Sequence, residues 1–408
     1  MLSCVSVCVF VITSLILAVV KLIDKKPGPI FGVYQRANGF YWFKVFLMFM
    51  CLCLRKIKYK IFPLSQEYLN NLDRPQKLAP TSKAVDAVFF CNANKDGDYF
   101  IVGIARRSNR LVDGFILLKL NSLDLGVLES PKIPDTALFN TGEEESYEAE
   151  GIKITPRIPM KEWTIEYNGQ LKEFNDITKL HNVKITAQFT SNKPIYNMDR
   201  DLDPWEMARS LAYEKWSRGY FDNAKEHHQT HYEQYGIVKA KISIDGKVHE
   251  TVFDSLRDHS IAKNRDWGHF KRYGIHFLST ENGDHLTIGT LCMPSYLSRI
   301  KIGYMYNAVD KKIYNIRSSN LELYQFGELG TPPKDYAFTF KAGKTEYVMQ
   351  VNIIDSPYFY LSKDCEVKVY EQLCTIDING VKGWGSAEWI YRNVEGRNVL
   401  KKSKGTIK

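Results

Sequence analysis

The stretch VKITAQFT, residues 183–190, alternates apolar and polar side chains without a break. Successive side chains of a β-strand point to opposite faces of a sheet, so this pattern predicts a strand with one buried face. Upstream, Asn168-Gly169 follows another strand-like run and is a pair that favours a tight hairpin turn. Asp245-Gly246 predicts a second such turn. Because short apolar runs and turns continue through most of the chain, the sequence predicts an all-β protein.

The strand pattern is interrupted at Asp203-Pro204. Aspartate is a favourable helix cap and proline suits the first helical turn, so we expect a helix from Trp205 to about Tyr235. This interruption divides the chain into a β domain at residues 83–202, a helical connector at 203–236 and a second β domain at 237–402. Two barrel or sandwich domains joined by a helical segment are the simplest interpretation.

The N-terminal region is apolar. Residues 2–20 lack charge and match the length of a spanning helix, which predicts a transmembrane segment. Residues 40–54 are shorter, and they run into a basic stretch that ends at Lys60, as in an interfacial or re-entrant segment on anionic lipid. We therefore expect a membrane anchor at residues 1–60, a linker at 61–82, and a body on the cytosolic face because cations follow both segments. Plasma membrane and endomembranes remain open alternatives.

The composition narrows the functional classes. The chain has 408 residues, a net charge of +9, 24 Tyr and 22 Phe, which favours a β-rich protein with aromatic-lined cavities. The excess of cations lies mainly near both ends of the chain, which indicates membrane lipid as a partner rather than nucleic acid. The eight cysteines show no disulfide spacing, as expected in a reducing compartment. No phosphate-binding glycine loop, no G-x-S-x-G and no G-x-G-x-x-G after a strand occurs, which disfavours a kinase, nucleotidase, α/β-hydrolase or dehydrogenase, and we expect no cofactor.

A dense polar cluster follows the strand predicted to end at Phe253, and we place it in a loop. Its members are Arg257-Asp258-His259-Ser260 and Arg265-Asp266-Trp267. Two Arg-Asp pairs can form charge-assisted hydrogen bonds inside a pocket, a histidine can carry a proton near neutral pH, and an indole supplies an apolar wall. The alternative is a polar network that locks two β layers together.

Two other motifs contain candidate site residues. His227 and His231 are four residues apart, so on the predicted helix they would share one face as candidate metal ligands, although a third ligand is missing. The same histidines would also interact favourably with the end of the helix dipole. Near the C-terminus, Trp384 and Glu388 lie in GWGSAEW, residues 383–389. Burial would raise the pKa of Glu388 and make it an acid; the alternative is an ion pair with Arg257 or Arg265.

These residues, with Tyr273-Gly274-Ile275-His276 and Gly383-x-Gly385-x-x-Glu388, resemble the superfamily of carotenoid hydratase-like and AttH-like proteins over residues 80–395. The resemblance implies two lipocalin-like β domains. Residues 216–236 resemble an uncharacterised animal branch, in which such a module can precede a phosphoenolpyruvate synthase-like phosphotransferase. The chain departs from the superfamily at Leu256 and at Ile261-Ala262, where a glycine and an aromatic-glycine step are usual.

Three functions follow, and the sequence leaves open whether the protein is an enzyme. The first is a membrane-anchored binding protein for a hydrophobic small molecule such as a lipid, isoprenoid or polyene, held in a lipocalin-like cavity. Its ligand-binding residues would be Arg257, Asp258, Arg265, Trp267 and Trp384. The second is a hydratase- or cyclase-like lyase or isomerase that uses His259, Asp266 or Glu388 as catalytic acid. The third is a non-catalytic scaffold or regulatory partner of a phosphotransferase.

Overall fold

The computed structural model describes residues 4–23, 27–294 and 296–405. The helices in this part of the chain are α1 Cys4–Ile23, α2 Tyr41–Ile61, α3 Gln66–Leu72, α4 Met198–Asp201, α5 Pro204–Ala212, α6 Arg218–Glu226 and α7 Asn398–Gly405. The strands are β1 Val85–Ala93, β2 Tyr99–Arg107, β3 Leu111–Lys119, β4 Leu128–Glu129, β5 Ala137–Phe139, β6 Tyr147–Ala149, β7 Ile152–Ile158, β8 Glu162–Glu173, β9 Leu180–Thr190, β10 Tyr196–Asn197, β11 Gln229–Ile244, β12 Lys247–Ala262, β13 Arg272–Thr280, β14 His285–Met293, β15 Leu297–Asn307, β16 Lys312–Ser319, β17 Asp335–Ala342, β18 Thr345–Asp355, β19 Tyr358–Leu361, β20 Val367–Ile378 and β21 Val381–Arg392.

The strands form two sheets, and each closes on itself. The first sheet contains a ring of eight strands, in the order β11, β12, β1, β2, β3, β4, β8 and β9. This ring is closed because β9 pairs with both β8 and β11. In the second, the ring runs β18, β17, β16, β15, β14, β13, β21 and β20, and the pairing of β20 with β18 closes it. Eight-stranded antiparallel barrels of this kind are the architecture of lipocalin-like domains. The prediction of an all-β protein with two such units agrees with the structure.

Buried side chains occupy each barrel. Trp163, Phe90 and Phe189 belong to the first core, and Trp389 and Phe338 belong to the second. The core residues of β9 are Val183, Ile185, Ala187 and Phe189, so the alternating stretch that predicts a strand does have one buried face.

A third apolar cluster lies between the barrels. Phe89 of β1 packs on Phe277 of β13, with ring centroids 5.7 Å apart. Tyr99 donates a hydrogen bond to the carbonyl of Cys374 at 2.9 Å, and Tyr235 donates one to the carbonyl of Leu286 at 2.8 Å. The two barrels therefore share a side-to-side interface, which includes the site described below.

Two turn predictions had different outcomes. Asp245 and Gly246 have positive φ values of 49° and 85° and join β11 to β12 in a hairpin, as predicted. The hairpin predicted at Asn168-Gly169 is wrong, because both residues lie inside β8 and pair with Lys184 and Val183 of β9. A Cβ at Gly169 would meet the Tyr167 ring, so this glycine provides space for a close contact rather than a turn.

The helical connector is shorter than predicted. Asp203 caps α5 by accepting from the amides of Trp205 and Glu206, and Pro204 is its first residue. However, α6 ends at Glu226 and β11 begins at Gln229, where the sequence analysis places a helix. β11 and β12 pair along sixteen positions and belong to the first barrel, whereas the predicted second domain begins at residue 237. Long-range pairing with β12 outweighs the local helical preference of this segment.

The N-terminal segments are helical. In the described part of the chain, no helix combines the length and the apolar character needed to cross a membrane. The transmembrane helix predicted at residues 2–20, and with it the single-pass anchor, is therefore not supported; residues 2 and 3 lie outside the described residues. α2 packs through Tyr41 and Val45 onto Ala208 and Ala212 of α5.

Candidate functional site

The first part of the predicted polar cluster, Arg257–Ser260, lies in β12 rather than in a loop, whereas Arg265-Asp266-Trp267 follows the end of this strand at Ala262. Phe90 of β1 pairs with Arg257, and Val88 pairs with His259, so the run is continuous strand. Because side chains alternate along a strand, Arg257 and His259 point to one face while Asp258 and Ser260 point to the other. The pleat therefore divides the cluster between two separate environments.

Arg257 belongs to a fully buried network in the first barrel. Its guanidinium forms an ion pair with Asp73, the residue that follows α3, and donates to Gln234 Oε1 at 2.9 Å. Asp73 also accepts from Tyr232 Oη at 2.5 Å and from Trp163 Nε1 at 3.1 Å. This arrangement fixes α3 against the barrel. It corresponds to the alternative interpretation of the cluster, a structural network.

His259 lies in a second network on the same face. Its Nε2 is 2.6 Å from Asp86 Oδ1, and its Nδ1 is 2.9 Å from Tyr232 Oη. Asp86 also forms an ion pair with Arg106 and accepts from Tyr147. Burial alone would raise the pKa of Asp86, but His259 and Arg106 lower it overall. His259 is completely buried and lies on the opposite face of β12 from the cavity described next.

A cavity of about 330 Å³ lies between the barrels, and a smaller one of about 110 Å³ adjoins it. The walls of the larger cavity are formed by six strands, by α4 and by the segment after β12. The strands are β11, β12, β13, β14, β15 and β21. Its apolar lining includes Trp267, Phe270, Tyr273, Ile275, Phe277, Leu291, Met293 and Tyr296. Its ionisable lining includes His231, Glu233, Asp258, Arg265, Asp266 and Glu388. This cavity lies between the two barrels, whereas a lipocalin-like cavity lies inside a single barrel.

Glu388 enters the cavity from β21, and a second carboxyl group lies beside it. Glu371 is directly opposite on β20, fully buried, and accepts a hydrogen bond from Ser386. Tyr273 donates to Glu388 Oε1. Burial, reinforced by Glu388, raises the pKa of Glu371 well above its usual value. Burial also raises the pKa of Glu388, although hydrogen bonds with Tyr273 and Glu371 oppose this. Burial therefore favours the protonated form of both carboxyl groups, and more strongly for Glu371.

Asp258 faces the same cavity from β12. Burial raises its pKa, although the neighbouring His231 and Arg265 oppose the shift. His231 Nε2 is 3.9 Å from Asp258 and 3.1 Å from Glu233. Burial alone would lower the pKa of His231, but these two carboxylates raise it overall. Burial lowers the pKa of Arg265 to about 10, so it remains a cation at neutral pH.

Asp266 and Trp267 form one end of the cavity. Asp266 accepts from the amide of Gly268 at 2.8 Å and forms an ion pair with Lys83. Burial alone would raise the pKa of Asp266, but these two partners lower it overall, so Asp266 is ionised and is a poor proton donor. Among the described residues, the buried Nε1 of Trp267 has no hydrogen-bond partner.

The remaining predicted residues lie elsewhere or have other partners. Trp384 donates to Asp254 at 3.1 Å and lies outside this cavity. His227 ends α6, whereas His231 is in β11 with its Nδ1 2.6 Å from Ser260, so the two do not share a helical face. Within residues 4–23, 27–294 and 296–405 no group of three ligands suited to a metal ion occurs.

Sequence reasoning identified Asp258, Arg265, Trp267 and Glu388, all of which line the cavity. It missed Glu371 and did not assign His231 to an acid–base group. Glu371 could have been noticed as a carboxylate in the middle of an apolar strand, Val367–Ile378. Its pairing with Glu388 depends on strand register, which the local pattern does not contain.

Comparison with known families decides the classification. A family model matches residues 5–391, and it is described as a family of unknown function, DUF8627. The chain belongs to DUF8627. A comparison with curated proteins found no match for this member of the family.

Solved structures resemble this DUF8627 protein in fold. A putative AttH from Nitrosomonas europaea is 9% identical with a TM-score of 0.50, and the alignment covers 78% of this chain and 95% of that one. Kievitone hydratase from Nectria haematococca is 10% identical with a TM-score of 0.45, covering 81% and 93%. CghA is 10% identical with a TM-score of 0.45, covering 79% and 96%. The AttH likeness supports the AttH-like fold expected from the sequence.

Proposed function

We propose that this protein is a lyase or isomerase that adds or moves a proton on an unsaturated apolar molecule bound between the two barrels. The observation that carries the proposal is that Glu388 and Asp258, two carboxyl groups with raised pKa values, face one largely apolar cavity. Carboxyl groups with raised pKa in a cleft are characteristic of acid–base sites.

The lining of the cavity indicates the class of substrate. Phe270, Phe277, Leu291 and Met293 supply apolar contacts, and the volume of about 330 Å³ lies within the range of small-molecule pockets. His231 and Arg265 line the cavity and carry N–H donors that can orient a polar end of the ligand. An isoprenoid or polyene with one oxygen function fits this combination.

Glu388 is the proposed acid. Burial and the neighbouring Glu388 raise the pKa of Glu371, so the pair favours a bound proton that Glu371 can share with Glu388. Because Glu371 lies behind Glu388 and does not line the cavity, Glu388 is the member that reaches the ligand. Tyr273 holds the carboxyl group in position.

Asp258 is the proposed base. Arg265 and His231 favour its ionised form, although burial and the neighbouring Glu233 oppose them. Glu388 and Asp258 therefore have different electrostatic surroundings: Glu388 lies beside Glu371, whereas Asp258 has His231 and Arg265 as well as Glu233 near it. Such a pair can hold one acid and one base at the same pH.

The reaction needs no redox partner. Glu388 gives its proton to one carbon of a C=C bond, and the π electrons form the new C–H bond and leave a carbocation beside the ring of Trp267. Water then forms a C–O bond and gives its proton to Asp258, or a neighbouring C–H bond gives its proton to Asp258 and a shifted C=C bond forms. Exchange with solvent returns the proton from Asp258 to Glu388.

A carrier without catalysis is the second candidate. The observation that favours it is that Glu388 already forms hydrogen bonds with protein groups, which would reduce its reactivity. In that case the carboxyl groups only contribute polar contacts to a bound lipid or isoprenoid.

Mass spectrometry of reactions in D₂O distinguishes the enzyme from the carrier. The purified protein is incubated with a panel of isoprenoid alcohols and polyenes, and the products are examined for deuterium on carbon or added water. The proposal expects turnover that Glu388→Gln lowers by about 10²- to 10⁴-fold, the usual contribution of a general acid, while binding is retained. Glu346→Gln, at an exposed position on β18, is the matched control and should behave as wild type. Binding without isotope incorporation indicates the carrier, and absence of binding refutes both.

A further inference from the structure

α2 exposes an apolar stripe that the proposed catalytic site does not use. Its members follow a spacing of three or four residues along one helical face: Phe43, Phe46, Leu47, Met50, Leu54, Ile57 and Ile61, each between 46% and 65% exposed. The helix has 21 residues, so the stripe extends about 30 Å at 1.5 Å per residue. An exposed apolar patch of this length marks an interaction surface.

The opposite face of α2 is packed on the protein. Tyr41 and Val45 are buried against α5, and Phe49 meets Trp205 edge to face with centroids 5.4 Å apart. Lys44 donates to the carbonyl of Glu214 at 2.5 Å. The helix therefore lies flat against the body and presents its stripe outward.

The charges beside the stripe identify the partner. Arg55, Lys58 and Lys60 are exposed near the C-terminal end of α2, and the helix contains no acidic residue. An apolar stripe flanked by cations is the pattern of helices that lie in the interface of a bilayer with anionic lipids. We propose that α2 docks this protein on an anionic lipid surface, with the stripe in the acyl region and the cations at the headgroups.

α2 is also attached to a wall of the cavity. Arg55 donates to the carbonyl of Asp199 and Lys56 to that of Asp201, each at 3.2 Å, and Arg200 donates to the carbonyl of Tyr59 at 2.7 Å. These bonds join α2 to α4, where Asp199 lines the cavity. A docked α2 thus places this wall close to the lipid, where an apolar substrate is dissolved; this link alone rests on the proposed function.

The test measures binding of the full chain to vesicles. Wild-type protein is mixed with vesicles of phosphatidylcholine alone or of phosphatidylcholine with phosphatidylserine, and the bound fraction is separated by flotation. Each cation near an anionic surface strengthens binding about fivefold. Lys58→Glu with Lys60→Glu is therefore expected to weaken binding to the anionic vesicles by at least about tenfold.

A second pair of variants tests the stripe. Phe46→Glu with Met50→Glu should weaken binding to the anionic vesicles by at least about tenfold, because charged side chains would enter the apolar region. Val309→Glu with Leu329→Glu is the matched control, since both residues are highly exposed in loops of the second barrel. α1 also exposes apolar side chains, and because all variants retain it, its contribution is common to every measurement.

The outcomes are distinct. Equal binding to neutral and anionic vesicles, or α2 variants that bind as well as wild type, overturns the proposal. A change from dimer to monomer in Phe46→Glu with Met50→Glu, with vesicle binding unaffected, would assign the stripe to a second copy and also overturns it. Glu388→Gln should bind vesicles as wild type does, so failure of the catalytic proposal leaves this result intact.

Discussion

Replacing Arg257 with Met should destabilise the first barrel without affecting the cavity. Removal of one member of a buried ion pair typically costs 3–5 kcal/mol, because it leaves the other charge uncompensated. Asp73 would retain the amide of Met160 at 2.5 Å, Tyr232 Oη at 2.5 Å and Trp163 Nε1 at 3.1 Å as donors. We therefore place the loss near the lower limit, at about 3 kcal/mol.

Urea denaturation followed by intrinsic fluorescence measures this loss. Asp73→Asn alone should also destabilise, because the buried guanidinium would lose its carboxylate and keep neutral partners such as Gln234 and Tyr232 Oη. The double variant, Arg257→Met with Asp73→Asn, removes both charges and should cost at least about 2 kcal/mol less than the sum of the single losses. Ligand binding in the cavity should persist in Arg257→Met under native conditions. A loss below about 1 kcal/mol, or strictly additive losses, would refute the structural role assigned to this pair.

The remaining predictions concern one titration and one backbone position. Burial raises the pKa of Glu129 to about 7 despite Lys172, so the folded state binds the proton more tightly than the unfolded state. This tighter proton binding adds about 3 kcal/mol to the free energy of unfolding. The whole contribution is present below about pH 4.5, and it is lost as the pH rises through 7. Glu129→Gln should remove that dependence from urea curves recorded across this range, and parallel curves for both proteins would contradict it. Gly385→Ala should unfold the second barrel or destabilise it by about 3 kcal/mol or more, because a methyl would collide with the carbonyl of Phe277 at a φ of +154°. Gly380→Ala, with φ +89° and open space around it, is the control and should lose only about 1 kcal/mol by thermal unfolding.

Several residues of the predicted site do line the cavity, but the structure does not place all of the predicted residues together. Arg257, Asp258 and His259 are adjacent in sequence, and one of the two alternatives predicted from it, the pocket, brings all three together. The pleat of β12 separates them, because neighbouring side chains of a strand point to opposite sides. Only Asp258 faces the cavity, whereas the other two stabilise the first barrel. A loop, as predicted, would have allowed all three to converge.

The local sequence pattern was sufficient to predict the β class, the strand at residues 183–190 and the Asp245-Gly246 turn. Each of these depends on neighbouring residues alone. Barrel closure, the pairing of Glu371 with Glu388 and the position of the cavity depend on contacts between residues far apart in the chain. Those contacts are selected by which buried faces pack together. The amino-acid order therefore determined that carboxyl groups and aromatic rings are present, and only the packing of two barrels decided which of them share a cavity.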